Sequence, residues 1–305
     1  MILRRQHQKR ESKREKNQKA GNGMREKEQY YRHASGDPGE IRLDLRELWK
    51  YRDLVILLTV RSFTVSFKQT VLGPVWLFIR PVVASLIQMV IFGTIAGIGT
   101  GGVPRFLFYL SGNAAWSLFS ATLSGCSDTF ISNATILSKV YFPRLVMPVS
   151  TALSALAGYA LKMLPAVLAF LFFLSRGEVV FNPLCPLLLP PAILELLLLG
   201  TGLGLIAASL TTGYRDLNIA IRQGSKLLMY VTPVIYPLSE VGGRLKEIMR
   251  WNPAAPPMEL MRFALWRTGT LDPVSFIFSW IFTLGVLAAG LVLFGRVEKV
   301  FADTI

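Results

Sequence analysis

The sequence predicts an all-α membrane protein: six transmembrane helices, an N-terminal amphipathic interfacial helix, and short re-entrant helices before the last span. Three observations predict it. Apolar residues make up 52% of the 305 positions and charged residues only 17%, against roughly 25% charged in soluble domains. The apolar residues gather in long runs, and a hydrocarbon core of about 30 Å takes roughly 20 of them in a helix. The cations are unevenly placed. Residues 1–76 carry 17 Lys and Arg against 9 Asp and Glu, within a chain whose net charge is +14. Cations crowded before the first apolar run are what the positive-inside rule expects of a cytoplasmic N-terminus.

Residues 1–40 lack the apolar stretch of a secretory signal. They are polar, charged and poor in aromatics, which predicts a disordered basic cytoplasmic tail, either solvated or drawn to anionic lipid. Met24 offers an alternative start. Residues 41–72 are the interfacial region. Leu45, Leu48, Trp49, Leu54, Val55 and Leu58 supply an apolar side, while Arg42, Arg46 and Lys50 recur every four residues on a basic side. Such a helix lies in the interface plane.

The transmembrane domain, 73–298, holds spans at about 74–97, 106–130, 145–174, 184–210, 226–238 and 274–294. In the first, Pro74 sits where a helix begins, Arg80 can snorkel back to the headgroups, and Pro81 predicts a kink. The fifth span is short and interrupted by Pro233 and Pro237. Six crossings return the C-terminus to the cytoplasm. Loop charge agrees with that threading: Lys139, Arg144, Arg215, Arg222, Lys226, Arg296 and Lys299 fall inside, and only Arg105 and Arg176 lie in the short outside loops. Residues 239–272 carry both charge signs and apolar runs too short to span. Helical pieces that dip into the outer leaflet, or lie on it, fit there, and non-helical backbone at that depth must be covered by protein or line a cavity.

No catalytic constellation occurs. His7 and His33 are the only histidines, which argues against a His-based triad or a metal site. Cys126 and Cys185 read as small buried hydrophobes. Without GxxxxGK[ST] the chain has no P-loop to cradle ATP. It reads as a non-enzyme with no cofactor of its own; if transport is ATP-driven, another chain binds ATP and Mg and supplies the hydrolysis. The basic charge comes without a nucleic-acid-binding motif, so nucleic acid is not an expected partner. Lys162 and Glu195 fall near the bilayer centre, where an uncompensated charge is expensive. Two readings stand: a structural pair between adjacent helices, which is favoured, and a polar contact with substrate. Gly93-x-x-x-Gly97 and Gly200-x-x-x-Gly204 allow close helix approach, within one subunit or across a dimer. The inside loops at 131–144 and 213–222, with basic residues and exposed aromatics, look like docking knobs for a cytoplasmic partner; each also reads as a plain solvated turn.

Three stretches then resemble the permease subunits of ABC-2 type exporters for polysaccharides and polyol phosphates, which export O-antigen, capsule or teichoic-acid chains. They are Lys68-Gln69-Thr70-Val71-Leu72-Gly73-Pro74-Val75-Trp76 with Arg80-Pro81; Asn133 through Pro148; and Tyr214-Arg215-Asp216 followed by Met229 through Pro237 and Trp251-Asn252-Pro253. The resemblance covers about residues 45–300. It implies a multi-pass permease of the bacterial cytoplasmic (inner) membrane with both termini cytoplasmic. It also implies a homodimer, two copies of an ABC ATP-binding subunit that hydrolyses ATP, a lipid-linked polysaccharide as cargo, and a place in lipopolysaccharide biosynthesis. Ser138, Lys139, Tyr141, Phe142, Pro143 and Arg144, with Tyr214, Arg215 and Asp216, would form the ATPase-coupling surface. Arg61, Lys68 and Arg80 would frame access for the lipid headgroup. Read from the residues alone, these cations fit either pyrophosphate attraction or ordinary positive-inside topology. Trp76, Tyr109, Trp116, Tyr230, Pro233, Tyr236, Pro237 and Trp251 would belong to the channel or gate, their rings also fitting belt or packing roles. The long basic tail departs from the family's compact pattern. Competing readings are an ABC-2 exporter of a drug or small lipid, and a membrane scaffold that transports nothing. A membrane glycosyltransferase is weakened by the shortage of acidic residues on the membrane faces.

Overall fold

The computed structural model describes residues 45–65, 73–133, 142–211, 216–269 and 272–303. The basic tail, Lys68, Ser138, Lys139, Tyr141, Tyr214 and Arg215 lie outside them. Among the described residues every regular element is a helix. In chain order they are α1 (Leu45–Lys50), α2 (Arg52–Val65), α3 (Trp76–Gln88), α4 (Arg105–Ser127), α5 (Thr129–Ser132), α6 (Val146–Ser175), α7 (Cys185–Thr211), α8 (Leu217–Val231), α9 (Gly243–Arg250), α10 (Ala255–Trp266) and α11 (Pro273–Asp303). α3 opens from a tight turn at Gly73–Val75 and runs on as a wider π turn over Met89–Ile95.

Four segments are long and apolar enough to cross a membrane: Trp76–Ile95, Val146–Ser175, Cys185–Thr211 and Pro273–Val297. α4 is a helix of another kind. Its 23 residues give about 34 Å of length, but Ser, Asn, Thr and Gly dilute its hydropathy. The reason is position. α4 packs against α3, α6, α7 and α8, and Leu107, Phe108, Leu110, Ala114, Ala115, Leu118 and Phe119 are all buried. A helix sheathed in other helices meets protein instead of lipid and can carry polar groups where partners exist. Asn113 Nδ2 donates to Ser85 Oγ and to Gln88 Oε1 of α3, both at 2.8 Å.

α7 is the second central helix. It lies between α4 and α11 and also meets α10, and glycines let its backbone approach both neighbours. A Cβ at Gly200 would sit 2.9 Å from the Phe119 carbonyl oxygen of α4, and one at Gly202 would sit 2.8 Å from Leu287 Cα of α11. Gly204 faces α4 in the same way. The small-residue spacing therefore serves packing inside one subunit.

Two expectations are corrected. The interfacial helix is not polar on its far side. In α2, Val55 and Leu58 are buried against Phe142, Val146 and Met147, while Ile56, Leu57 and Val60 are each more than half exposed. Its charges, Arg52, Asp53 and Arg61, sit toward its ends, so most of its circumference is apolar. The short fifth span also shifts. The helix begins at Leu217, well before position 226, and ends at Val231, with 232–237 outside any helix. A residue before proline is driven out of the α region, and Thr232, before Pro233, is extended at φ −96°, ψ 143°.

Replacing Gly202 by Val is expected to lower stability by about 1–3 kcal/mol, because overpacking here meets backbone. Gly158→Ala, where a Cβ meets open space, is expected to hold or gain up to about 1 kcal/mol. Thermal unfolding of the detergent-solubilised variants, followed by size-exclusion loss, checks both.

Candidate functional site

Residues 233–237 lie between the end of α8 and a 3-10 turn at Leu238–Glu240, outside any helix, and the Val234 and Tyr236 carbonyls find their donors elsewhere. Arg262 of α10 provides them. Its Nη2 donates to the Val234 carbonyl at 2.8 Å and its Nη1 to the Tyr236 carbonyl at 3.3 Å. Nη1 also donates to Glu259 Oε1 at 2.9 Å, one helical turn away, and that oxygen accepts the Leu238 N–H at 3.3 Å. The guanidinium lies 4.2 Å from the ring centroid of Phe108 on α4. Both charged side chains are essentially shut off from solvent. A planar fork of five donors fits this multiple contact where an ammonium does not. Gly112 of α4 makes room, since a Cβ there would come 2.9 Å from the Val234 carbonyl oxygen. Two further bonds fasten the stretch: Tyr236 Oη donates to the Tyr230 carbonyl at 2.7 Å, and Asn252 Nδ2 donates to Thr232 Oγ1 at 3.0 Å.

A cationic region lies between α3 and α6. Arg80 stands 5.5 Å from the Trp76 ring centroid. Lys162, half-buried, donates to Ser117 Oγ of α4 at 3.1 Å, and the positive charge of Arg80 acts on it. Arg61 is exposed on α2. Lys162 and Glu195 do not pair, contrary to the favoured reading. Glu195, fully buried, is hydrogen-bonded to Ser279 of α11. The same Ser279 hydroxyl donates to the Pro253 carbonyl at 2.6 Å.

At the opposite end of α4 the structure describes the roots of the two predicted docking loops. Phe142 is buried against α2 and α6, so it anchors its loop and is not an exposed aromatic. Pro143 starts α6 through its carbonyl, which accepts the Val146 N–H at 3.0 Å. Arg144 is half-buried. Asp216 is exposed at the start of α8. Arg222 of α8 forms an ion pair with Asp128, the residue after α4, which joins the root of one loop to that of the other.

The predicted channel and gate residues divide. Tyr109 and Trp116 are closed inside the core, Tyr109 edge-on to Phe108 and Trp116 tilted on Phe119 at 4.9 Å. Their rings are packing surfaces here. Pro233 and Pro237 are buried in the Arg262-bound stretch, and Tyr236 is half-buried. Trp76, Tyr230 and Trp251 are exposed, Trp251 also meeting Phe278 of α11 edge to face at 4.9 Å.

The sequence profile of the ABC-2 type transporters matches residues 53–266, from α2 through the helix that carries Arg262. The chain belongs to the ABC-2 type transporter family. Relatives align over most of its length. The O-antigen export system permease protein RfbA of Klebsiella pneumoniae is 27% identical over 256 residues, covering 82% of this chain and 94% of that protein. A protein of the same name from Myxococcus xanthus is 29% identical over 197 residues, 65% of this chain and 73% of the relative. The polysialic acid transport protein KpsM of Escherichia coli is 24% identical over 244 residues, 79% and 92% of the two chains.

Sequence reasoning missed the charged pair of this ABC-2 transporter, Glu259 and Arg262. Its signal was present, since two opposite charges three residues apart inside an apolar helical run are neighbours on one face. It also missed Asp128, whose partner is 94 positions away.

Truncating Arg262 to Ala removes the guanidinium that faces the buried Glu259 carboxylate and the Val234 and Tyr236 carbonyls, so a loss of about 3–5 kcal/mol is expected. Glu259→Gln with Arg262→Met is expected to recover part of it. Glu195→Gln, which keeps an oxygen that accepts from Ser279, is expected to cost under about 1 kcal/mol, and Glu195→Ala more. Thermal unfolding in detergent ranks the four.

Proposed function

We propose that this transporter is the membrane-spanning permease of an ATP-driven exporter that moves a lipid-linked polysaccharide across a bacterial cytoplasmic membrane. One observation carries the reading: similarity runs through nearly the full length of O-antigen export permeases and of a polysialic acid transport protein. In this reading the chain works as a homodimer with two ATP-binding subunits, both termini cytoplasmic. α4 and the short α8 complete six crossings, and residues 239–272 form the extracytoplasmic gate. The loops rooted at Phe142–Arg144 and Asp216 seat the ATPase, with Asp128–Arg222 between them.

The chemistry of the cargo fits the cationic side. A lipid pyrophosphate needs positive charge that no carboxylate has neutralised. Arg80 and Lys162 offer it from adjacent helices, Arg61 adds a third cation on α2, and guanidinium groups bind phosphate oxygens in a bidentate way. Exposed Trp76, Tyr230 and Trp251 offer ring faces on which a sugar chain can stack.

In proteoliposomes holding the transporter with its ATP-binding subunit, a lipid-linked glycan is expected to stimulate ATP hydrolysis several-fold, and the free glycan not at all. Absence of stimulation by any lipid-linked glycan would overturn the cargo. Arg80→Ala, with membrane insertion verified, is expected to abolish most surface polysaccharide, and Arg80→Lys to retain part. Normal export by Arg80→Ala would remove the headgroup role.

A further inference from the structure

A cleft between α9, α10 and the start of α11 borders the Arg262 network at Leu238 and Glu259 and has been given no ligand above. Its volume is about 480 Å³, within the range of roughly 300–1,000 Å³ usual for small-molecule sites. Leu238, Ala255, Pro256, Leu260, Pro273 and Phe276 make its walls largely apolar. Glu259 also stands in the wall, but its carboxylate is already held by Arg262 and the Leu238 N–H.

Charge enters only at the rim, from Lys246, Arg250 and Asp272. Arg250 forms an ion pair with Asp272, and its Nε donates to Ser275 Oγ at 3.0 Å. The hydrogen bond from Ser275 and then the Arg250 guanidinium hold the Asp272 carboxyl below the usual carboxylate range. These two charges therefore neutralise each other. Lys246 has neither a hydrogen bond nor an ion pair among the described residues, so the rim keeps one uncompensated positive charge.

The surroundings fix the level at which the cleft lies. Leu245 and Ile248 of α9 are more than half exposed, as is Trp251 just beyond the helix. Met249 is turned into the protein, and Arg244, Lys246, Glu247 and Arg250 bring charge to the same helix. A helix that exposes large apolar side chains beside charged ones sits at a membrane surface. Beside it, α11 enters a stretch apolar enough to cross from Pro273 onward. A ligand for this place needs an apolar chain for the walls, an anionic group for Lys246, and a home in the interface. Anionic phospholipid has all three, and cations near an anionic leaflet favour it over a zwitterionic one.

We propose that this cleft binds one anionic phospholipid, with an acyl chain against Leu260 and Phe276 and the phosphate at Lys246. The proposal needs the chain to span a membrane but does not depend on what is exported. A lipid so placed wedges between α10, the helix that carries Arg262, and α11.

The test uses the full chain in phosphatidylcholine nanodiscs doped with either phosphatidylglycerol or phosphatidylcholine bearing a photoactivatable acyl chain, with labelled peptides mapped by mass spectrometry. Enrichment of label in 255–260 and 272–276 is expected with the glycerol lipid. Lys246→Gln is expected to cut that enrichment about fivefold, the factor set by one basic residue at an anionic surface. Leu260→Trp, which fills the cleft, is expected to abolish it, and Arg80→Ala to leave it unchanged. Label spread evenly over α3, α6 and α11, or equal labelling by both lipids, overturns the proposal. Displacement of the label by excess inorganic phosphate assigns the rim to free anion and also overturns it. So does a disulfide between two copies carrying Lys246→Cys when no lipid label appears, since the occupant is then a second subunit. None of these readouts involves ATP hydrolysis or polysaccharide, so failure here is separable from failure of the export reading.

Discussion

The buried guanidinium of Arg262 is the interaction on which the middle of the structure depends. In a low-dielectric interior an unpaired carbonyl or amide costs as much as a lost hydrogen bond. Helices avoid the problem by pairing backbone with backbone. Residues 233–237 do so only in part, because Pro233 and Pro237 lack N–H groups and the chain there turns without forming a helix. Arg262 stands in for the missing backbone donors at Val234 and Tyr236, Glu259 accepts from Leu238, and Phe108 closes one face of the ion. The end of α8, the whole of α10 and the outer half of α4 therefore share one polar knot. Gly112 is its clearance on the α4 side.

Around that knot the arrangement reverses what a soluble protein does. Polar groups concentrate inside, on α4 and along the buried side of α8, where Asn218 and Ser225 are covered and the Ser120 and Ser225 hydroxyls lie 3.2 Å apart. The outward sides of α6, α7 and α11 are the greasiest surfaces of the molecule, with Leu168, Leu187 and Ile281 about two-thirds exposed or more. Lipid is as apolar as leucine, so nothing drives these sides together. Close contact comes instead from small residues and hydroxyls, as at Gly202 against Leu287 and at Ser279 against Glu195.

This inversion explains what could be read from the amino-acid order. α6 and α11 expose most of their length and α7 one outward side, so their composition announces them as unbroken apolar runs. The all-helical class follows from the same runs. α8 is harder to see because apolarity is low where the helix begins, and because Pro233 ends it before the apolar residues that follow. Lys162 and Glu195 show the limit of counting along a span. Position in a run gives depth in the bilayer but not direction around the helix axis, so two residues at one depth can face different neighbours. Their actual partners, Ser117 and Ser279, have no mark in the sequence that separates them from other serines. Aromatics fail for a related reason. Tyr109 and Trp116 have the rings a sugar-binding wall needs, and only the sheath of α3, α6 and α7 around α4 shows them to be enclosed. The family-level stretches were more readable, since turn residues such as Gly73 and Pro233 act through backbone geometry that neighbours barely alter.

Asp128 and Arg222 sit at the bases of two connections separated by about a third of the chain. Joined, they turn those connections into a single handle. A pull on either one acts on the Asp128 end of α4 and on the start of α8 at once. It then travels along two rods that meet again at Val234, where the other end of α4 and the continuation of α8 are clasped to Arg262. Force applied at one end of this pair thus has a closed frame through which to reach the other, and neither rod can slide without straining the clasp.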